Sequence, residues 1–252
     1  SIEDIERCGI APYLGRIGLD HRAQAISGAS LRLVAIGTRT AETAETLCAA
    51  YNRKLPGSSP EAFHGETPWI DIFEKHKIDI LYVATPDSLH YAPVLHALEN
   101  GAHSMVEKPL TLDVGEAEAV LDRARSKDAI VLVDHIHLYS AAWEALKREG
   151  VPLGPIRTIT AKGGRWGVFW PDTPVLWDWG SHYAAMCINL LGRIPENVRA
   201  RRIESREVED ANEKKKGEVL ELELDFGDAA ALSFRIRDTV TAAGIALVCL
   251  FT

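Results

Sequence analysis

With 252 residues, 46% of them apolar and 25% charged, the chain has globular composition and enough length for one large or two modest domains. A formal net charge of −8 leaves no basic surplus to neutralise phosphates, which argues against a nucleic-acid partner. No apolar run is long enough to span a bilayer, no secretory leader pattern opens the sequence, and the four cysteines (Cys8, Cys48, Cys187, Cys249) have neither CxxC nor metal-type spacing. The expectation is a cytoplasmic protein with reduced core thiols and no membrane contact.

In chain order, "LRLVAIG" (31–37) reads as a strand and "AETAETLCAAYN" (41–52) as a helix, followed by "NRKLPGSSPEAFHGETP" (52–68), whose Pro56, Gly57, Ser58, Ser59 and Pro60 indicate a surface loop. "DILYVAT" (79–85) is a second strand. The helix after it is expected to start at an Asp87 or Ser88 N-cap and to stop at Gly101. "AHSMVE" (102–107) is a third strand, and the next helix sets Val114, Ala117, Val120, Leu121 and Ala124 on one face. "AIVLVDH" (129–135) is a fourth strand, before a helix closed by Gly150. Apolar strands alternating with helices indicate a doubly wound parallel sheet covered on both faces.

After about residue 155 the pattern changes to α+β. "IRTITAKGG" is a strand, "VLWDWGSHYAAM" (175–186) opens a buried helix that ends at Gly192, and "EVLELELDF" alternates, with Leu220, Leu222, Leu224 and Phe226 on one face. "ALSFRIR" answers it across a Gly227-Asp228 turn, setting Glu221, Glu223 and Asp225 against Arg235 and Arg237. Lys214-Lys215-Lys216 reads as a solvated loop tip. Two domains are expected, residues 1–140 and 141–252, the second built on a mostly antiparallel sheet whose apolar face another copy of the chain would cover.

A doubly wound sheet binds ligands at the carboxyl ends of its strands. Gly15 and Gly18 have the spacing of the last two glycines of G-x-G-x-x-G, with Tyr13 where the first would stand and a turn one residue longer. At the end of the next strand, Thr38 and Arg39 replace the acid that would hold a ribose 2′-hydroxyl. A guanidinium fork suits a 2′-phosphate, so NADP(H) is favoured over NAD(H).

"YVATPDSLHYAPVLHALENGAHSMVEKPLTLDVGEAEAV" (82–120) resembles the glucose–fructose oxidoreductase / inositol dehydrogenase / rhizopine catabolism (Gfo/Idh/MocA) family. The resemblance rests on Thr85-Pro86 with His90, on Glu107-Lys108-Pro109 after a strand, and on Asp178 four residues before His182. It implies a nicotinamide-dependent oxidoreductase acting on a sugar, nucleotide sugar or cyclitol, with an N-terminal Rossmann domain and a substrate domain. Members usually continue beyond "AAGIALVCLFT" through further strands, so the sheet is expected to be short. By position, Lys108, Asp178 and His182 become the catalytic set. Gly15, Arg16, Ile17, Gly18, Thr38, Arg39, Thr85, Pro86, His90, Glu107 and Lys108 become cofactor contacts. Lys108, His135, Trp166, Asp178 and His182 are expected at the substrate.

The residue types suit that chemistry. Oxidising an alcohol moves a hydride to the nicotinamide and a proton to a base, and an unperturbed imidazole titrates near ~6.5. His182 is therefore favoured as acid/base, with Asp178 orienting its ring and Lys108 polarising the oxygen; the reverse division between Lys108 and His182 stays open. Taken singly, Asp178 could be a helix cap and His182 a core histidine. His135-x-His137 has the look of a metal pair, but no further ligand cluster accompanies it, and no metal is expected. The rival function is a catalytically silent relative that binds a dinucleotide as sensor or scaffold, which the altered glycine turn would favour and the acid/base set would not.

Overall fold

The computed structural model describes residues 32–57, 59–150, 156–164, 174, 176–210, 213–227, 231–237 and 244–251. The expected contacts Gly15, Arg16, Ile17, Gly18 and Trp166 lie outside them. The chain divides into two compact units. One runs to Thr85 and includes Leu89–Met105 and Glu118–Val131; the other comprises Pro86–Ser88, Val106–Ala117 and the chain from Leu132. The two units therefore alternate along the chain between residues 85 and 132.

In the N-terminal part, strand β1 (Ala35–Thr38) leads into helix α1 (Ala41–Lys54). Thr40 caps that helix by accepting a hydrogen bond from the Thr43 amide, which satisfies one of its orphan N–H groups. Leu47 and Cys48 on the inner face of α1 pack on Ile36 of β1. Strand β2 (Glu61–His64) pairs parallel to β1, from Ala35 opposite Glu61 to Thr38 opposite His64. This corrects the expectation of a loop over 52–68. The Pro/Gly/Ser cluster is only the approach to a short strand whose existence depends on a distant partner. Helix α2 (Pro68–Lys75) follows, with Pro68 at its first position where the missing N–H costs nothing.

Strand β4 (His103–Glu107) lies between β3 (Ile80–Val83) and β5 (Val131–Asp134). Helix α3 (Tyr91–Glu99) is preceded by a tight turn over Asp87–Leu89, so Asp87 and Ser88 belong to that turn and His90 takes the cap position. Gly101 ends the segment as expected, at φ +75°, a conformation that favours glycine. In α4 (Val114–Ser126), Val120 and Ala124 are buried, whereas Val114 and Leu121 are exposed, a narrower buried stripe than the spacing suggested. The helix that follows is α5 (Ala141–Gly150).

The second unit is built on a five-stranded sheet of order β10-β6-β9-β8-β7, from β6 (Ile156–Gly164), β7 (Asn197–Asp210), β8 (Glu213–Asp225), β9 (Ala231–Arg237) and β10 (Gly244–Phe251). All its pairings are antiparallel except β6 with β9. Leu220, Leu222, Leu224 and Phe226 are buried and Glu221 stands opposite Arg235, as the alternation implied, but Arg237 stands opposite Val219, and Glu223 and Asp225 stand opposite Ser233 and Ala231. Lys214–Lys216 form strand, not a loop tip. They pair with Glu207–Glu209 of β7, where Glu209 opposes Lys214 and Glu207 opposes Lys216.

Helix α6 (Ser181–Leu191) lays Tyr183 and Cys187 on Leu220, Leu222, Leu224, Phe226 and Ile159 of this sheet. These residues of the apolar face are thus covered by the chain's own helix, and burying side chains of this size is worth roughly 1.5–3 kcal/mol each. Gly192, at φ +68°, closes α6 through its amide to the Ile188 carbonyl at 2.8 Å. Among the described residues, no helix is long and apolar enough to cross a membrane.

Candidate active site

The chain leaves β4 at Glu107 and enters Lys108-Pro109, joined by a cis peptide bond. Lys108 sits in the second unit, as do Asp178 and His182. A π-helical turn over Leu176–Gly180 delivers Asp178, and α6 continues directly from it to carry His182 as its second residue. The Asp178 amide donates to the Pro174 carbonyl at 3.1 Å, and the Ser181 hydroxyl donates to the Asp178 carbonyl at 3.3 Å.

Lys108 Nζ donates to the backbone carbonyl of Asp178 at 3.0 Å and to its carboxylate Oδ1. Both side chains are only 16% exposed. Asp178 thus forms an ion pair with Lys108. An ammonium has three donors, and two are used here. One N–H of Lys108 has no acceptor among the described residues.

His182 is buried, and its ring is enclosed by three others. His137 lies at 4.6 Å between centroids and 73° between planes, His135 at 6.1 Å and 77°, and Trp179 at 6.2 Å and 63°. His135 directly follows β5 and His137 lies in the tight turn Ile136–Tyr139. Ser140 fixes that turn: its hydroxyl donates to the His137 carbonyl at 3.0 Å and accepts from the Trp143 amide, the start of α5. The Trp143 indole N–H then donates to Asn189 Oδ1 of α6 at 2.9 Å, tying the turn's helix to the helix of His182.

Burial lowers the pKa of His135, aided by the Lys108 charge and then by His137; burial and Lys108 do the same to His137. Both imidazoles are thereby favoured in their neutral form. Burial also pushes the Tyr183 phenol up to about 12. No group of three or more potential ligands suited to a metal ion occurs among the described residues, although His135, His137 and His182 are neighbours. His137 was weighed in the sequence only as half of a metal pair; its spacing from His135 gave no sign of a shared target 45 residues on.

The expected cofactor contacts belong mostly to the other unit and are considered by themselves. Arg39 follows β1, is exposed, and makes no ion pair with the described residues. Thr38 donates its hydroxyl to the Thr40 carbonyl at 2.7 Å. Thr85 and Pro86 are exposed beyond β3. His90 is fully buried, and its Nε2–H donates to the Thr85 carbonyl at 2.9 Å, so it acts on a ligand only by shaping the 85–89 turn. Glu107 is half-buried at the end of β4. An unengaged guanidinium at a strand's carboxyl end suits the phosphate of a nicotinamide dinucleotide, so these residues fit that cofactor.

Residues 7–135 match the family described as oxidoreductase family, NAD-binding Rossmann fold (Gfo/Idh/MocA). Among curated proteins, UDP-N-acetylglucosamine 3-dehydrogenase of Acidithiobacillus ferrooxidans is 32% identical over 127 residues, 49% of this chain and 39% of that protein. D-glucoside 3-dehydrogenase of Escherichia coli is 30% identical over 148 residues, 55% of this chain and 39% of that one. The matched stretch thus spans well under half of either relative's length. The fold is also that of myo-inositol dehydrogenase from Lactobacillus casei, solved with NAD(H) and myo-inositol: TM-score 0.74, 16% identity, 95% of this chain and 68% of that one.

Proposed function

The chain belongs to the Gfo/Idh/MocA oxidoreductase family, and from that premise we propose that it transfers hydride between a nicotinamide dinucleotide, NADP(H) in preference to NAD(H), and a carbinol or carbonyl carbon of a sugar, nucleotide sugar or cyclitol. The observation that carries the reading is the ammonium of Lys108, held by Asp178 in the same unit as the enclosed imidazole of His182. A pure binding protein has no use for a buried amine–carboxylate–imidazole group, whose desolvation costs several kcal/mol unless function retains it.

The bound dinucleotide supplies the hydride acceptor or donor. Thr38 and Arg39 would hold its adenosine end, with Arg39 offering its fork to a 2′-phosphate. In the oxidising direction the spare N–H of Lys108 donates to the substrate oxygen and stabilises the charge that develops on it. His182 takes the hydroxyl proton, and the neutral state of His135 and His137 spares the site further positive charge that would oppose that uptake. Asp178 holds the amine in place. In the reducing direction His182 returns the proton to the alkoxide.

The test is nicotinamide absorbance on mixing the chain with NADPH or NADH and a panel of keto-sugars, beside equilibrium binding of each dinucleotide. Turnover with tighter NADPH binding is expected, and Arg39→Ala should weaken NADPH by about tenfold while leaving NADH nearly unchanged. Tight dinucleotide binding with no turnover across the panel would instead identify the silent sensor.

A further inference from the structure

We propose that His137 is a positioning residue for His182, holding the imidazole in its working orientation by edge-to-face contact; this rests on the oxidoreductase reading of the site. The rings meet at 4.6 Å and 73°, nearer than His135 or Trp179 comes to His182. An edge-to-face pair at that separation is directional, since the edge of one ring meets the π-face of the other. His182 is borne on α6, whose other face is committed to the sheet through Tyr183 and Cys187, so its backbone is fixed and its ring orientation is left to its neighbours.

His137 is itself fixed. Its carbonyl accepts from the Ser140 hydroxyl, and the α5 helix that Ser140 caps is bonded to Asn189 of α6. One continuous set of hydrogen bonds therefore sets the distance between the turn bearing His137 and the helix bearing His182. The neutral state of His137 fits the role: as an imidazolium beside His182, with Lys108 also nearby, it would oppose proton uptake. His135, on the strand side, and Trp179, from the π-helical turn, also meet the ring edge-to-face.

The experiment compares His137→Ala, His137→Phe and wild type by two readouts. The first is the pH titration of the His182 imidazole by NMR in the chain without substrate, its signal assigned by loss in His182→Gln. The second is kcat and KM at saturating NADPH. Misplacing a catalytic group by about 1 Å can cost on the order of a hundredfold in rate. His137→Ala is therefore expected to lower kcat roughly ten- to a hundredfold, with KM moved less than about threefold, and to shift the His182 titration. His137→Phe, which keeps a ring edge and face but no ionisable nitrogen, should restore most of kcat and a sharp His182 titration.

An unshifted His182 titration in His137→Ala would overturn the proposal, whether or not the chain turns over any carbohydrate. So would a Phe variant, folded by circular dichroism, that is as impaired as Ala. Should Phe not fold, His137→Leu replaces it: filled volume without an aromatic face must leave kcat near the Ala value, and full recovery with Leu refutes the ring contact. No turnover in wild type, with the titration still shifted in His137→Ala, sinks the oxidoreductase reading and supports the positioning.

Discussion

Among the described residues, two clusters of a carboxylate, an amine and an imidazole can be compared, and they differ in their surroundings. In the first unit Glu61 of β2 receives Lys75 and, at 3.0 Å, His76; the side chains are 39%, 59% and 26% exposed. In the second unit Asp178 receives Lys108, both 16% exposed, and His182 lies buried among His135, His137 and Trp179. Chemical inventory is the same in both. The difference is water: at the first cluster the charges are screened, whereas at the second the low local dielectric strengthens every interaction a reacting oxygen would make. The comparison teaches that residue type and proximity do not define a catalytic centre; enclosure does, together with a donor left without an acceptor.

The contrast can be broken most forcefully by exchanging the amines. Lys108→Met is expected to lower kcat by about a thousandfold or more, as does losing a group that stabilises developing charge, whereas Lys75→Met should stay within about twofold. Steady-state rates on whichever keto-sugar turns over decide it, and equal losses in both variants would erase the distinction.

Stability gives the next largest difference. Removing one member of the enclosed pair, as in Asp178→Asn, strands the other and should cost about 2–3 kcal/mol by urea unfolding. That is less than the range for a wholly buried pair, because some of each side chain remains in water. Glu61→Gln should barely move the midpoint, because exposed pairs contribute little. The double change Lys108→Met with Asp178→Leu should recover most of the loss, since no unpaired charge remains.

The smallest effect is a pH dependence. His135 and His137 have lowered pKa values in the folded chain, so the unfolded state binds more protons below an ordinary imidazole pKa of ~6.5. Stability should therefore rise as pH increases through the window from those lowered values up to about 6.5, then level off. His137→Gln should flatten the slope. Glu61, held below its usual range chiefly by the Lys75 hydrogen bond, acts in the same direction in a more acidic window: its contribution is present above the ordinary Glu pKa and fades as pH falls through the lowered one. A slope unaffected by His137→Gln would show that its imidazole is not held neutral.

What the sequence disclosed follows the range of the interactions involved. The β8 face of Leu220, Leu222, Leu224 and Phe226 was legible because a half-buried strand imposes a period of two on its own residues. The Lys108 motif and the Asp178–His182 spacing were legible as residue types suited to a reaction. Strand β2 was not, because four residues after a Pro/Gly/Ser run become strand only by pairing with β1. Lys214–Lys216 misled for the same reason, becoming strand by pairing with β7. The Lys108–Asp178 ion pair was not legible, because its two members lie 70 positions apart in the chain. His137 was invisible as a site residue because its neighbour His182 is distant in sequence and close only once α5 and α6 are joined.

The most direct test of the central claim is a crystal structure of the chain with NADPH and an unreactive substrate analogue. The account expects the analogue's oxygen at the reacting carbon to lie roughly 2.6–3.2 Å from both Lys108 Nζ and the His182 imidazole, with Asp178 still holding the amine. An analogue bound with that oxygen out of reach of both groups, or turned toward the Glu61–Lys75–His76 cluster, would contradict it.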